Sequence, residues 1–255
     1  MTATPAGMTY ADYLELDALL AAQRPRSDLH DEMLFIVIHQ TKELWLKQML
    51  HELGLAIGLV RGDQFAPAYK ALSRISRIQA VMTLSWDVLA TLTPVDYSAF
   101  RDVLGTSSGF QSAQFRELEF RLGLKDAHYL DYHEGGSAGH DRLLAALEAP
   151  SLWDEANEAL IRAGFELGDR SSEAIEAAWT EVYRDSERWF ELYQLGEKLV
   201  DIDDALAGWR HKHVLTITRI IGNKRGTGGS AGAAYLESTL SKRAFPELWS
   251  LRTSL

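Results

Sequence analysis

The stretch HDEMLFIVIHQTKELWLKQMLHELGLAIGLVR, residues 30–61, decides the fold. From Asp31 to Arg61 it contains no proline, and glycine only at Gly54 and Gly58. A run of this kind predicts one continuous helix about 45 Å long at a rise of 1.5 Å per residue. Asp31 and Glu32 complement the positive end of the helix dipole in its first turn. Met33-Leu34-Phe35-Ile36-Val37-Ile38 is apolar on every side, which predicts a helix buried all round. His39 follows directly, with Phe35 one turn before it on the same face.

Outward from this stretch the apolar period stays helical. On the N-terminal side, Tyr10 to Gln23 carries Tyr13, Leu14, Leu16, Leu19 and Leu20, one stripe of a short helix, and Arg24-Pro25-Arg26-Ser27 breaks it. On the C-terminal side a second long helix is expected from Pro67 to Leu92. Thr93-Pro94 then punctuates the chain, with Thr93 as cap, Pro94 at the first helical position and Asp96 completing a capping box. That helix is expected to end at Gly105, and another to run from Ser108 to Gly123. Residues 125–140, with His133 and His140 among glycines, read as a surface loop. Helices are expected again near 140–148, 151–165, 171–200 and 203–222. The glycine-rich loop GTGGSAG (226–232) and a short helix at 233–242 follow. No segment shows sustained period-2 alternation, so the fold class is all-α: a helical bundle in one domain over residues 1–255.

The composition excludes several kinds of chemistry. The chain has no cysteine, so it holds no disulfide, thiolate nucleophile, cysteine-bound zinc, iron–sulfur cluster or thiolate-ligated haem. Any metal chemistry must use His, carboxylates or Tyr. The formal net charge of −10, without a long Lys/Arg run, argues against nucleic acid or an anionic membrane as partner. MTATPAGMTY lacks both the basic start and the apolar core of a signal peptide, and no run of roughly 18 apolar residues suggests a membrane span. A cytoplasmic location is expected.

Of the eight histidines, six sit among polar neighbours or at helix ends. His133 and His140 are expected to be exposed in their loop. His39 and His213 differ. In the last long helix Ile202, Leu206, Trp209, His213, Ile217 and Ile220 fall at steps of 3 and 4 on one face. His211, roughly 200° around the helix from His213, falls on the polar side. One buried imidazole is commonly a hydrogen-bonded core residue. Two of them in a cysteine-free, helical, aromatic-rich chain suit a haem pocket, one ligating iron and one facing it, although a two-histidine metal site fits the same spacing.

Polar residues near these helices admit similar pairs of readings. Tyr97 and Arg101, four apart, share a helix face. Arg101 presents a fork suited to a substrate carboxylate, or to a surface ion pair with Asp96 or Asp102. Ser107, Ser108 and Gly109 form a turn whose free N–H groups suit an anion or a plain cap. The loop carrying Thr227 and Ser230 lacks a phosphate-cradle pattern and reads as a lid over a pocket mouth or a flexible connector.

The blocks HDEMLFIVIHQTKELWLKQMLHEL (30–53), TPVDYSAFRDVLGTSSGFQS (93–112), WRHKHV (209–214) and IGNKRGTGGSAGAAYL (221–236), preceded by TYADYLELDALLAAQ (9–23), closely resemble the signatures of the tryptophan 2,3-dioxygenase family, in the family's order. The resemblance implies an all-helical homotetramer with one haem b per subunit. Such an enzyme inserts both atoms of O2 across the indole C2–C3 bond of L-tryptophan, giving N-formylkynurenine. It further implies His213 as the axial haem ligand and His39 as the residue that meets the indole N–H, with Phe35 beside the indole. Arg101 corresponds to the carboxylate clamp with Tyr97 next to it, Thr227 to a contact of the amino-acid end, and Ser108 to a residue near the haem edge. Tyr10, Tyr13 and Leu14 correspond to residues that reach a neighbouring subunit's pocket, so that residues 1–25 are exchanged between subunits. The region 125–180 is shorter than in familiar members, Ile38 stands where Gln is common, and Phe115 where some members have Tyr. These departures keep open an oxygenase of the same superfamily acting on a modified tryptophan or another aromatic.

Overall fold

The computed structural model describes residues 7–255, and among them twelve α-helices and no β-strand occur. The all-α expectation holds. The first helix does not run unbroken: α1 (Tyr10–Leu14) and α2 (Leu16–Leu20) are separated at Glu15, whose φ of 51° lies in the left-handed region. A capping box between Thr9 and Asp12 opens α1, and neither helix buries a residue within its own chain.

Helix α3 (His30–Arg61) is the unbroken helix that residues 30–61 require. Its apolar start is not buried all round: Met33 and Val37 are 40% and 41% exposed. The apolar run has one face against the bundle and another that the single chain leaves uncovered. Helix α4 spans Phe65–Leu89, starting two residues before Pro67. Proline is tolerated there because the first-turn N–H groups have no intrahelical acceptor.

Thr93 and Asp96 form the expected capping box at the start of α5 (Pro94–Phe100). The helix tightens at Arg101–Leu104 into a 3-10 turn that ends at Gly105, φ 55°. The stretch expected as one helix from Ser108 divides as well. Ser108 caps a 3-10 turn, Gly109–Gln111, and Ser112 then caps α6 (Ala113–Leu122). Residues 125–140 carry a 3-10 turn at Ala127–Tyr132, and His133 and His140 are half-buried rather than exposed.

Helices α7 (Ala138–Glu148) and α8 (Leu152–Arg162) follow. The break expected near residue 201 lies elsewhere. α9 (Ser172–Arg184) ends at Asp185, and α10 (Phe190–Ile221) continues through 200–203 for 32 residues. Short helices α11 (Ala233–Ser238) and α12 (Pro246–Ser250) close the chain. No single helix among the described residues is long and apolar enough to cross a membrane.

The main core joins α3, α4, α8, α9 and α10 through Leu53, Leu72, Ile75, Leu160, Trp179, Leu195, Leu199 and Ile202. Each such side chain contributes roughly 1.5–3 kcal/mol on burial. Ala68 and Ala71 keep the α4 surface low. Helices α3 and α10 each pack along α4.

The C-terminal segment is tied down through one carboxylate. Asp203, fully buried on α10, accepts the backbone N–H of Ala244 at 3.1 Å and the indole N–H of Trp249 at 2.9 Å. Replacing it strands both donors, so Asp203→Ala is expected to cost about 3 kcal/mol. Urea unfolding checks this, and Asp203→Asn, which keeps one acceptor oxygen, is expected to lose less.

Candidate active site

The region where α3 and α10 lie on either side of α4 contains a cavity of about 1000 Å³. That is the upper end of the roughly 300–1,000 Å³ range of ligand and cofactor pockets. Helix α3 presents Phe35, His39, Lys42, Glu43 and Leu46 to it, the spacing of one helical face. Helix α4 contributes Met82, Trp86 and Leu89, and α10 contributes Trp209, Arg210, His213, Ile217 and Ile220. The stripe that singled out His213 is therefore a cavity wall in its C-terminal part and core in its N-terminal part. His211 is exposed, as its position around the helix predicts.

On the α3 wall, Phe35 packs against His39 at 4.2 Å between ring centroids, and against Tyr97 and Phe100 at 5.9 and 5.7 Å. His39 Nδ1 lies 2.8 Å from the Phe35 carbonyl oxygen. A carbonyl only accepts, so Nδ1 carries the proton and Nε2 keeps its lone pair. Burial, reinforced by the neighbouring Lys42 ammonium, pushes the His39 pKa down to about 4. Burial also raises the Tyr97 pKa, so its phenol keeps its proton.

The opposite wall is aromatic too. Trp86 stacks on His213 at 4.3 Å and 13°, Trp209 lies 5.2 Å from the same imidazole, and Phe115 stacks on Trp209 at 4.9 Å. Burial, then the charges of Lys42, His39 and Arg116, bring the His213 pKa down to about 3. Both imidazoles are neutral at any ordinary pH, the form in which imidazole ligates a metal or accepts a hydrogen bond.

The remaining wall is made by residues 103–116 and the loop 226–232. Ser108 lines the cavity and its side chain accepts the Phe110 N–H at 3.3 Å. Thr227 lines it as well and donates to the Ser107 carbonyl. Glycine is needed twice here. A Cβ on Gly228 would lie 2.6 Å from the Ser108 Cβ, and one on Gly232, at φ 64°, 2.3 Å from the Lys224 carbonyl oxygen. Arg101 is not among the lining residues: its guanidinium donates to the Arg225 carbonyl, at the root of the loop, and acts electrostatically on Tyr97. Tyr10 and Tyr13 are 76% and 74% exposed, away from their own chain's cavity, and Leu14 is also exposed.

Four buried polar atoms on lining residues have no hydrogen-bond partner among the described residues: Lys42 Nζ, Trp86 Nε1, Trp209 Nε1 and Arg116 Nε. All four are donors. They call for an occupant rich in acceptors, because a buried unpaired donor costs about 1–3 kcal/mol. No three His, Asp or Glu side chains among the described residues converge to hold a bare metal ion. A single imidazole at each wall suits a metal that brings its other ligands with it, as a porphyrin does, and haem carboxylates would supply acceptors of the kind these donors lack. Burial also holds Lys42 down to a pKa of about 6. The sequence reading missed Lys42, Trp86, Arg116 and the Arg116–Glu119–Arg210 network. The signal for Lys42 was its place three residues after His39 on the same helix face.

The family model described as tryptophan 2,3-dioxygenase matches residues 1–168 and 149–255. The chain is 62% identical to the tryptophan 2,3-dioxygenase of Caulobacter vibrioides, over 97% of this chain and 98% of that protein. The chain belongs to the tryptophan 2,3-dioxygenase family. The enzymes of the same name from Bacillus cereus and Ralstonia pickettii are 51% and 52% identical, each over 97% of this chain and 93% of their own length. With 98% of the Caulobacter protein covered, the short 125–180 region is no peculiarity of this member.

Neutral buried imidazoles carry a stability consequence. Unfolded, His39 and His213 take up protons below about pH 6.5, whereas the folded chain holds them neutral to about pH 4 and about pH 3. The unfolded state binds more protons across that window, so folding stability falls as pH drops through it. The urea midpoint of ligand-free protein is expected to fall from pH 7 to pH 5, and the decrease to shrink in a His39→Gln/His213→Gln double variant. An unchanged decrease in that variant contradicts the neutral pair.

Proposed function

We propose that this chain is a haem-dependent dioxygenase that inserts O2 across the indole C2–C3 bond of L-tryptophan to give N-formylkynurenine. The observation that carries the reading is the near end-to-end identity with enzymes named for that activity, 62% and 51% in two of them, joined to a cavity with one neutral imidazole on each of two aromatic walls. The relatives' shared name favours tryptophan over the modified-tryptophan alternative. Both oxygen atoms remain in the product and the C2–C3 bond is cleaved, so the net reaction needs no outside electrons.

In this reading His213, a neutral imidazole on the α10 wall, would be the residue that holds the haem iron. The oxygen chemistry would come from haem b, one per subunit, when bound. The protein's part is to orient the amino acid and exclude water. His39 Nε2, unprotonated because Nδ1 is committed to the Phe35 carbonyl, accepts the indole N–H. Phe35 and Tyr97 form the apolar shelf for the indole ring. Thr227 and Ser108 line the cavity where the glycine-rich loop meets the 107–109 turn; in this reading Thr227 would contact the amino-acid end and Ser108 the haem edge. Arg101, adjacent to Tyr97 and tied to the root of that loop, clamps the substrate carboxylate, which replaces the Arg225 carbonyl as its acceptor.

The assembly proposed is a homotetramer in which Tyr10, Tyr13 and Leu14 close a neighbouring subunit's pocket, with residues 1–25 exchanged and the chain forming one domain. The exposure of these side chains, and of Met33 and Val37, supports that arrangement. The first six residues of the exchanged segment lie outside the described residues. A cytoplasmic location completes the proposal.

The test supplies L-tryptophan and O2 to ascorbate-reduced, haem-loaded protein and follows N-formylkynurenine absorbance. Product is expected. Haem binding without product defeats the tryptophan reading. Arg101→Leu is expected to lower kcat/KM roughly a hundredfold, about 3 kcal/mol for stranding a desolvated carboxylate. An unchanged kcat/KM removes Arg101 from the site.

A further inference from the structure

We infer that Lys42 is the counter-cation of a haem carboxylate: its ammonium, buried and unpartnered on the wall of the His39/His213 cavity, forms an ion pair with a propionate of the bound porphyrin. The inference rests on the haem reading above and adds a residue to it.

Lys42 is 7% exposed, and its Nζ makes no hydrogen bond among the described residues. The ammonium lies over the face of Trp86, 2.9 Å from the ring centroid. That cation–π contact is the sole compensation among the described residues, and burial without a counter-charge favours the neutral amine, so an anionic occupant is what would hold Lys42 in its charged form. No acid on the cavity wall is free to supply that counter-charge. Glu43, the next residue, accepts from Ser112 Oγ at 2.6 Å and Gln114 Nε2 at 2.7 Å. Glu119 is held by Arg116 and Arg210. Glu32 accepts the backbone N–H groups of Arg26 and Ser27, both at 2.8 Å.

Position and charge balance agree. Lys42 follows His39 by three residues on α3, and the Trp86 ring beneath its ammonium stacks on His213. The Lys42 ammonium and the proposed haem ligand His213 thus both contact the Trp86 ring. With Lys42 protonated, five cationic and three anionic side chains line the cavity, a net of two positive charges in a chain whose overall balance is −10. A haem carries two carboxylates. Arg116, which shares Glu119 with Arg210 and has a buried Nε without a partner among the described residues, is a second cation on the cavity lining, in the wall made by residues 103–116.

The test compares haem with haem dimethyl ester, in which the carboxylates are blocked, as ligands of the full-length apoprotein. Affinity is read from Soret titration and from the rate of transfer to apomyoglobin. Wild-type protein is expected to prefer haem to the ester by at least roughly tenfold, the scale of one charge-assisted contact. Lys42→Met is expected to lower haem affinity about tenfold and leave ester affinity unchanged, collapsing the preference, while Lys42→Arg retains most of it. The apoprotein of Lys42→Met is expected to unfold at an equal or higher urea concentration, because a buried amine without a hydrogen-bond partner has been removed. If that variant does not fold, Lys42→Gln makes the same comparison. Equal losses for haem and ester, or no loss for either, overturn the inference and leave the dioxygenase reading standing. Failure of the wild-type protein to bind either porphyrin strikes the haem reading itself.

Discussion

Helix α4 separates α3 from α10, and the site exists because both long helices pack along it. Alanines on its surface and the leucines and isoleucines of the main core hold the three in register. Where α3 and α10 run past the end of that core, the space between them is the cavity, with Trp86 of α4 on its wall. Packing then sets the chemistry. Two imidazoles taken out of water in one cavity are both pushed far below their ordinary pKa and stay neutral, available as lone-pair donors.

The same desolvation explains why the cavity is unbalanced in a particular direction. Its unpartnered atoms are donors from two indoles, one guanidinium and one ammonium, and its net charge opposes that of the chain as a whole. A flat, aromatic, acceptor-bearing dianion suits such walls better than a neutral ligand does. Stacked rings at 4.3 Å and 4.9 Å supply faces, and the donors supply the edge. Membership of the tryptophan 2,3-dioxygenase family and the physics of the cavity both favour the haem proposed above.

Much of this was legible in the sequence because it depends on local rules. The proline-free run from Asp31 became α3, the Thr93–Asp96 capping box formed, and steps of 3 and 4 put His213 on the inner face and His211 outside. What was not legible depends on tertiary context. Nothing in RDSERW marks the break between α9 and α10, whereas the helix runs straight through 200–203. Glu15 takes a left-handed conformation that its residue type does not announce. The apolar run 33–38 was expected to be buried all round, but in the single chain only Ile38 is buried while Met33 and Val37 are exposed, because helical apolarity does not say what covers each face. Lys42 drew no expectation from the sequence, because charge type says nothing about which neighbours lack a counter-charge. Arg101 was expected against the ligand, yet it is turned onto the backbone of the loop it would help to close.

The most direct measurement of the central claim is resonance Raman spectroscopy of the ferrous haem-loaded protein. The account predicts an iron–histidine stretching band in the wild-type protein, its loss in His213→Gly, and its return when imidazole is added to that variant. An iron–histidine band that persists in His213→Gly, or that disappears only when His39 is replaced, would contradict the assignment of His213 as the ligand on which the whole reading rests.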